Sequence, residues 1–204
     1  MEPSARAARS RAHDRAALRC RAGAAGGHAL HAGPHHAAAE RALARRFAEL
    51  PFRAFEFQGF LGKRRVVSFG WRYDFNLMKV EATENIPAFL LPLRERAAAF
   101  AGLEPAALQQ VLLTEYGPGA GIGWHKDRSV FGEVVGISLL APCVFRLRRK
   151  TAAKPRPAWQ RLSLTLAPRS AYLLSGPARS DWEHSIPEVE ALRYSVTFRN
   201  LRER

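Results

Sequence analysis

The chain has 204 residues, 32 of them Lys or Arg against 18 Asp or Glu, for a net charge of +14; that length fits one domain with a sizeable core and excludes a small disulfide scaffold. With only Cys20 and Cys143, and no apolar run near the ~18–20 residues that span a bilayer, paired-cysteine zinc sites and membrane spans are excluded, and a reducing, cytoplasmic compartment is expected. The positive excess makes a polyanion, DNA or RNA, the first partner to consider, because phosphate neutralisation drives sequence-independent nucleic-acid binding.

Residues 1–36 mix Ala, Arg, Gly and His without one aromatic side chain. They bury too little apolar area to offset ordering entropy and are predicted to be a disordered extension. Their Arg-rich, acid-poor makeup fits either an organellar transit peptide or an upstream extension with no targeting role. Nine Arg against Glu2, Asp14 and Glu40 give residues 1–46 a charge of +6 and leave +8 for the remainder.

Order is predicted from Ala37, where Ala39, Leu43, Phe47 and Leu50 share one helical face before Pro51. Residues 55–58 and 65–69 then alternate as strands, punctuated by Gly59, Gly62 and Gly70. Residues 87–100 read as a helix that opens at Pro87 and Pro92 and stops at Gly102, with a further helical turn at 104–109. Strand-like segments recur at 111–116, 134–140, 143–147, 162–166, 171–175 and 192–200. Short strands after a helical N-terminal part predict an α+β chain with a sandwich or jelly-roll core. Between two of these strands, residues 146–161 hold seven cations and no acid, and are predicted as a long hairpin loop suited to a phosphate backbone.

Five of the seven His lie within residues 1–36, which leaves His125 and His184 in the folded part. In His125-Lys126-Asp127 an imidazole and a carboxylate at i and i+2 project to one face of an extended segment. His184, from a distant segment, would complete two His and one carboxylate, the facial set that leaves open positions and suits non-haem iron(II). A glycine-dense turn, 116–124, leads into the pair, and its spacing matches neither a phosphate loop nor a dinucleotide fingerprint. Nine residues after His184, Arg193-Tyr194-Ser195-Val196-Thr197-Phe198-Arg199 puts apolar side chains on one strand face and Arg193, Ser195, Thr197 and Arg199 on the other. Either this polar ladder faces water on an outer strand, or it points inward, where two guanidiniums need anionic partners such as a dicarboxylate.

The ordered set Tyr116-Gly-Pro-Gly-Ala, His125-x-Asp127, Trp182-x-His184-Ser185-Ile186 and Arg193-Tyr194-Ser195-x-Thr197-Phe198-Arg199 resembles the AlkB-like branch of the 2-oxoglutarate, iron(II)-dependent dioxygenases, over residues 50–201. The resemblance implies a double-stranded β-helix core with N-terminal helices and a lid-like β segment. Within a single domain, 37–204, the lid falls at 51–80 and the catalytic barrel at 108–201, and a monomer is expected. Fe(II) would be held by His125, Asp127 and His184. Arg193 would pair with the distal carboxylate of 2-oxoglutarate, assisted by Tyr116 and Ser195, with Arg199 near its metal-chelating end. Thr114 and Ser195 stand where family members commonly carry Asn, and both are candidate cosubstrate residues.

The implied chemistry consumes O2 and 2-oxoglutarate and oxidises an N-methyl group, which leaves as formaldehyde, on a methylated base of DNA or RNA in a cytoplasmic, nucleoid-associated setting. In the lid-like segment Phe69, Trp71 and Tyr73 are candidates to stack a flipped base, and Arg65, with Lys63, Arg64 and Arg72, to hold phosphates. Where the best-known repair members carry acidic residues behind the H-x-D, this chain has Arg128-Ser129-Val130. A methylated protein or small-molecule amine is therefore the alternative substrate. A non-catalytic, basic nucleic-acid-binding β-barrel is the alternative of a different class.

Overall fold

Alternating apolar and polar side chains build strands that bury one face, and here they build two large sheets and a separate two-stranded one. The computed structural model describes residues 18–21, 34–57, 59–151 and 158–202. In chain order the elements are β1 (Leu18–Arg21), α1 (Pro34–Ala48), β2 (Arg53–Phe57), β3 (Phe60–Phe69), β4 (Trp71–Asp74), β5 (Lys79–Ala82), α2 (Leu91–Ala101), β6 (Gln110–Tyr116), β7 (Ile122–His125), β8 (Phe131–Leu139), β9 (Cys143–Thr151), β10 (Ala158–Leu166), β11 (Ser170–Leu174), α3 (Gly176–Ser180), β12 (Glu183–Ile186) and β13 (Arg193–Leu201). The major sheet runs β1-β11-β8-β13-β6-β3-β2, the minor sheet β10-β9-β12-β7, and β4 pairs only with β5. Neighbouring strands are antiparallel throughout. This is the α+β jelly-roll arrangement expected.

Two apolar clusters hold the layers together. The first joins the helices to the outer face of the major sheet: Phe47 of α1 and Leu93, Ala97 and Ala98 of α2 pack with Val111, Leu113, Ile137, Val196 and Phe198. Phe47 meets Tyr194 edge to face at 5.3 Å, a geometry that ring quadrupoles favour. The second lies between the sheets, with Tyr116, Val134, Phe145, Leu147, Leu166, Tyr172 and Ile186. Glu40 pins α1 to the far end of β8, accepting the Leu140 N–H at 2.8 Å and the Arg169 guanidinium at 2.5 Å.

Several expectations are corrected. Part of the extension read as disordered is structured: Leu18–Arg21 adds to β11 as an edge strand, and α1 begins at Pro34. Edge pairing satisfies backbone groups and needs no apolar run, so composition does not reveal it; the rest of residues 1–33 lies outside the described residues. The hairpin expected at 146–161 is present as β9–β10, but most of it is paired strand and not loop, in register from Thr151 opposite Ala158 to Cys143 opposite Leu166. Its cations are engaged: Arg148 pairs with Glu183 at 2.6 Å and lies over Trp124 and Trp159, and Arg146 donates to Ser185 at 3.1 Å. Lys154 and Arg156 lie outside the described residues.

Gly70 joins β3 to β4 in a left-handed conformation, φ +77°, where an added Cβ would stand 2.1 Å from the Gln109 carbonyl oxygen. Gly102 ends α2 at φ +72° with nothing within 4 Å of such a Cβ. Gly102→Ala therefore meets only the cost of the left-handed backbone, about 1–2 kcal/mol. Gly70→Ala adds a backbone collision, so its urea midpoint should fall clearly below that of Gly102→Ala; equal midpoints would contradict this turn geometry.

Candidate active site

β7 and β12 are short, and their antiparallel pairing makes His125 and His184 register partners with ring centroids 4.2 Å apart. Asp127, just past the end of β7, turns back so that its Oδ2 lies 3.8 Å from His184 Nε2. His125 Nδ1 is 2.9 Å from the Gly123 carbonyl oxygen, which can only accept, so Nδ1 carries the proton and Nε2 keeps its lone pair. The loop behind Asp127 is held by buried Arg179, which donates to the carbonyls of Arg128, Phe131 and Gly132.

The third wall is β13, bonded to β6 on one side and β8 on the other. Arg193 stands opposite Tyr116, Ser195 between Thr114 and Ser138, Thr197 between Leu112 and Gly136, and Arg199 between Gln110 and Val134. Tyr194, Val196 and Phe198 enter the helix-side core, so the polar ladder points between the sheets. The outer-strand alternative is excluded, since Arg193 is 0% exposed. Its Nε and Nη2 donate to Ser138 Oγ at 3.3 and 3.2 Å, its guanidinium lies 5.0 Å from the Tyr116 ring centroid, and its Nη1 is buried with no hydrogen-bond partner. Arg199 donates to Gln110 at 3.0 Å and to Asp127 Oδ1 at 2.7 Å, while its Nε is buried without a partner. Unpaired guanidinium N–H groups in a dry interior are costly, and a carboxylate satisfies them.

Electrostatics set the protonation states. Burial alone would raise the Asp127 carboxyl, but Arg199, with His184, His125 and Arg179, holds it well below the usual carboxylate range. Burial and the neighbouring His125 lower His184 to about 3, and burial also lowers His125. Two neutral imidazoles and an ionised carboxylate are the states in which these groups bind a metal. Among the described residues no group of three or more His, Cys, Asp or Glu stands close enough together, as placed, to hold a metal ion. Two donors at right angles around one ion, each about 2.1 Å from it, stand about 3 Å apart, so the 3.8 Å between Asp127 and His184 needs only a side-chain adjustment. The donor set fits Fe(II), and the orphaned arginine nitrogens fit a dicarboxylate.

A cavity of about 820 Å³ opens over this floor. Of the expected residues, Thr114, Tyr116, His125, Asp127, His184, Ser195 and Arg199 line it, Arg193 lies behind Tyr116, and Tyr73 reaches it from the β4–β5 hairpin. Three expected substrate residues do not. Phe69 is 4% exposed within the helix-side core, Trp71 is not on the cavity wall, and Arg65 pairs with Glu115 at 3.0 Å on the opposite face of β3. The reason is strand parity: Arg65, Val67 and Phe69 share one face of β3, and Arg64, Val66 and Ser68 share the face toward the cavity. Arg64 and Arg72, expected as phosphate contacts, are on the wall, and residues not anticipated include Phe55, Phe75 and Gln110 there and Ser138 beneath Arg193. Tyr172 is another. Its ring occupies the space where a Cβ on Gly136 would stand, 2.2 Å from the ring. Parity along β6, Gln110-Leu112-Thr114-Tyr116, is the signal that would have found Gln110.

A histidine whose folded pKa lies below its unfolded value of 6.5 binds fewer protons folded than unfolded between the two values. Metal-free protein should therefore be fully stabilised by this group above pH about 6.5 and lose that stability as pH falls toward about 3. Urea titrations with a chelator present should show this slope, and His184→Gln should flatten it; an unchanged slope would contradict the buried, neutral imidazole.

A model of the 2OG-Fe(II) oxygenase superfamily matches residues 36–199. The alkylated DNA repair protein ALKBH8 homolog of Arabidopsis thaliana is 29% identical over 164 residues, covering 70% of this chain and 47% of its own length. The alpha-ketoglutarate-dependent dioxygenase alkB homolog 4 of Homo sapiens is 28% identical over 170 residues, covering 68% of this chain and 56% of its own. The chain thus spans about half the length of the curated relatives it matches. The solved structure of OsALKBH1 superposes with a TM-score of 0.59 at 15% identity, covering 79% of this chain and 91% of that one, which shows the shared jelly-roll fold. With the family matched across most of its length, the chain belongs to the AlkB-like branch of the 2OG-Fe(II) oxygenase superfamily, dioxygenases that use Fe(II), 2-oxoglutarate and O2.

Proposed function

We propose that this dioxygenase oxidatively demethylates N-alkylated nucleobases in DNA or RNA, with Fe(II) held by His125, Asp127 and His184 and 2-oxoglutarate held by Arg193 and Tyr116. Fe(II), when bound, would supply the redox chemistry that couples conversion of 2-oxoglutarate to succinate and CO2, which takes one atom of O2, to insertion of the other atom into an N-methyl C–H bond. The hydroxymethyl group then breaks its C–N bond, leaving formaldehyde and the free base. The chain's own residues do the positioning. Arg193 Nη1, unpartnered in a buried site, takes a carboxylate oxygen. Ser138 and Gln110 fix the two guanidiniums in place, and Arg199 orients Asp127. Ser195 and Thr114 offer hydroxyls from opposing register positions. Phe131, Phe145 and Tyr172 on the cavity wall exclude water around the reacting carbon.

The observation that carries the nucleobase reading is the cavity mouth. Phe55 meets Phe75 edge to face at 5.5 Å, and Phe75 meets Tyr73 at 5.1 Å. The guanidiniums of Arg64 and Arg128 lie over the outer rings, at 3.7 Å from Phe55 and 4.8 Å from Tyr73. Such an arc offers stacking faces to a base taken out of its helix and cations to its phosphates. A relative named for alkylated DNA repair supports the same class. Buried free Cys143 fits a reducing compartment, and among the described residues no helix is long and apolar enough to cross a membrane.

Formaldehyde release should be seen with methylated single-stranded DNA or RNA, and activity confined to methylated peptide would overturn the nucleobase reading. Asp127→Ala should abolish succinate formation; iron-dependent succinate formation in that variant would remove Asp127 from the site. Arg193→Ala loses a charge-assisted partner of about 1.5–3 kcal/mol. Its KM for 2-oxoglutarate should rise about 10- to 150-fold, and an unchanged KM would contradict the cosubstrate assignment.

A further inference from the structure

The cavity wall carries more positive charge than its bound groups use. Among its cations, Arg199 is paired with Asp127, Arg72 with Glu81, and Lys126 donates to the Ser180 carbonyl. Arg64 and Arg128 make no ion pair among the described residues. Arg64 lies over Phe55, and its charge is felt at Tyr116 and His125, so it faces the interior. Burial lowers its pKa, as for a guanidinium without a countercharge. Arg128 follows Asp127 directly and lies over both Tyr73 and Phe75, 4.8 and 5.0 Å from their centroids, with Met78 Sδ at 3.8 Å. Among the described residues no acid of the wall pairs with Arg64 or Arg128: Asp127 is held by Arg199, Asp74 keeps its charge but accepts the Asn76 and Leu77 N–H groups of its own turn, and Glu56 is exposed.

Fe(II), the two carboxylates of 2-oxoglutarate and Arg193 together leave no negative charge over, so the unpaired guanidiniums of Arg64 and Arg128 are not neutralised beside the stacking faces. We propose that Arg64 and Arg128 are specificity-determining residues: they admit an N-methylated base that is electrically neutral and joined to a phosphodiester, and reject a base that alkylation has made cationic. This rests on the nucleobase reading and narrows it. A methyl on ring N1 of adenine or N3 of cytosine fixes a positive charge on the ring. A methyl on the exocyclic amine of adenine, or on N3 of thymine or uracil, does not. The rings of Tyr73, Phe75 and Phe55 stack either kind, so discrimination falls to charge. At about 10 Å and an effective dielectric of about 20, one guanidinium disfavours a cationic ring by roughly tenfold. The same repulsion acts on a methylated lysine, so the cavity disfavours the protein-substrate alternative as well.

The test uses the full chain with Fe(II) and 2-oxoglutarate and single-stranded oligonucleotides of one sequence. Each carries one N1-methyladenine, one N6-methyladenine, one N3-methylthymine or no modification, beside a trimethyllysine peptide. Formaldehyde release gives kcat/KM, and fluorescence anisotropy without O2 gives Kd. Wild type should favour both neutral methylated bases over N1-methyladenine by at least about tenfold. Arg128→Glu should lower that neutral-to-cationic ratio by roughly tenfold or more, and Arg64→Gln should lower it less. Because the readout is a ratio within one variant, a general loss of fold or activity leaves it interpretable. Wild-type preference for N1-methyladenine, or a ratio unmoved in Arg128→Glu, overturns the charge filter while leaving demethylation of nucleobases intact. Formaldehyde from the peptide alone overturns the nucleobase reading, and this proposal with it.

Discussion

Everything in the molecule is arranged around the two unlike faces of β13. Tyr194, Val196 and Phe198 must be dry, and Arg193, Ser195, Thr197 and Arg199 must not be left without partners. A strand at a sheet edge would satisfy both by turning its polar face to water. Here β13 is flanked by β6 and β8, so the polar face is enclosed and must be satisfied from within. The helices α1 and α2 cover the apolar side, and the minor sheet covers the other. Ser138, Gln110 and Asp127 satisfy some of the guanidinium N–H groups, while Arg193 Nη1 and Arg199 Nε remain over. Buried unsatisfied donors are uncommon in native folds because each costs free energy. On the proposed function, a carboxylate of 2-oxoglutarate is the acceptor that these donors lack.

The Arg199–Asp127 contact couples that strand to the donor set. One Asp127 oxygen is held by Arg199, so the other is aimed toward His184 by a residue on a different sheet. The two sheets are thereby linked across the cavity by charge as well as by apolar packing. Such a link is sensitive to register, because a shift of one residue in β13 would turn Arg199 into the helix-side core. The backbone pairings on both sides of β13 are what hold it.

Much of this is legible in the amino acids themselves. The alternation of 193–199, the H-x-D and the distant His184 stand out along the chain, because each is a local pattern with a chemical reason. What is not legible depends on long-range pairing. β7 and β12 have four residues each, rich in Gly or polar side chains, and they become strands only because they pair with each other and with β9. Edge strand β1 is set by the open side of β11 in the same way. The lid residues failed by parity: a run containing Lys63, Arg64, Arg65, Phe69 and Trp71 shows that cations and aromatics are present, but not which face each takes. The charge of the chain is similarly ambiguous as a total. Arg148 is set against Glu183 and Arg65 against Glu115, whereas Arg64 and Arg128 at the cavity make no ion pair among the described residues, a distinction the total does not carry.

The central proposal is that the inward face of β13, together with the donors on and just after β7 and on β12, forms one site for iron and 2-oxoglutarate. Equilibrium dialysis under nitrogen measures this most directly, with Fe(II) first and then labelled 2-oxoglutarate, on wild type, His184→Ala and Arg193→Met. The expected result is one iron per wild-type chain and saturable cosubstrate binding, iron lost in His184→Ala, and iron retained but cosubstrate binding weakened in Arg193→Met. Iron retained in His184→Ala, or 2-oxoglutarate bound equally well by Arg193→Met, would contradict it.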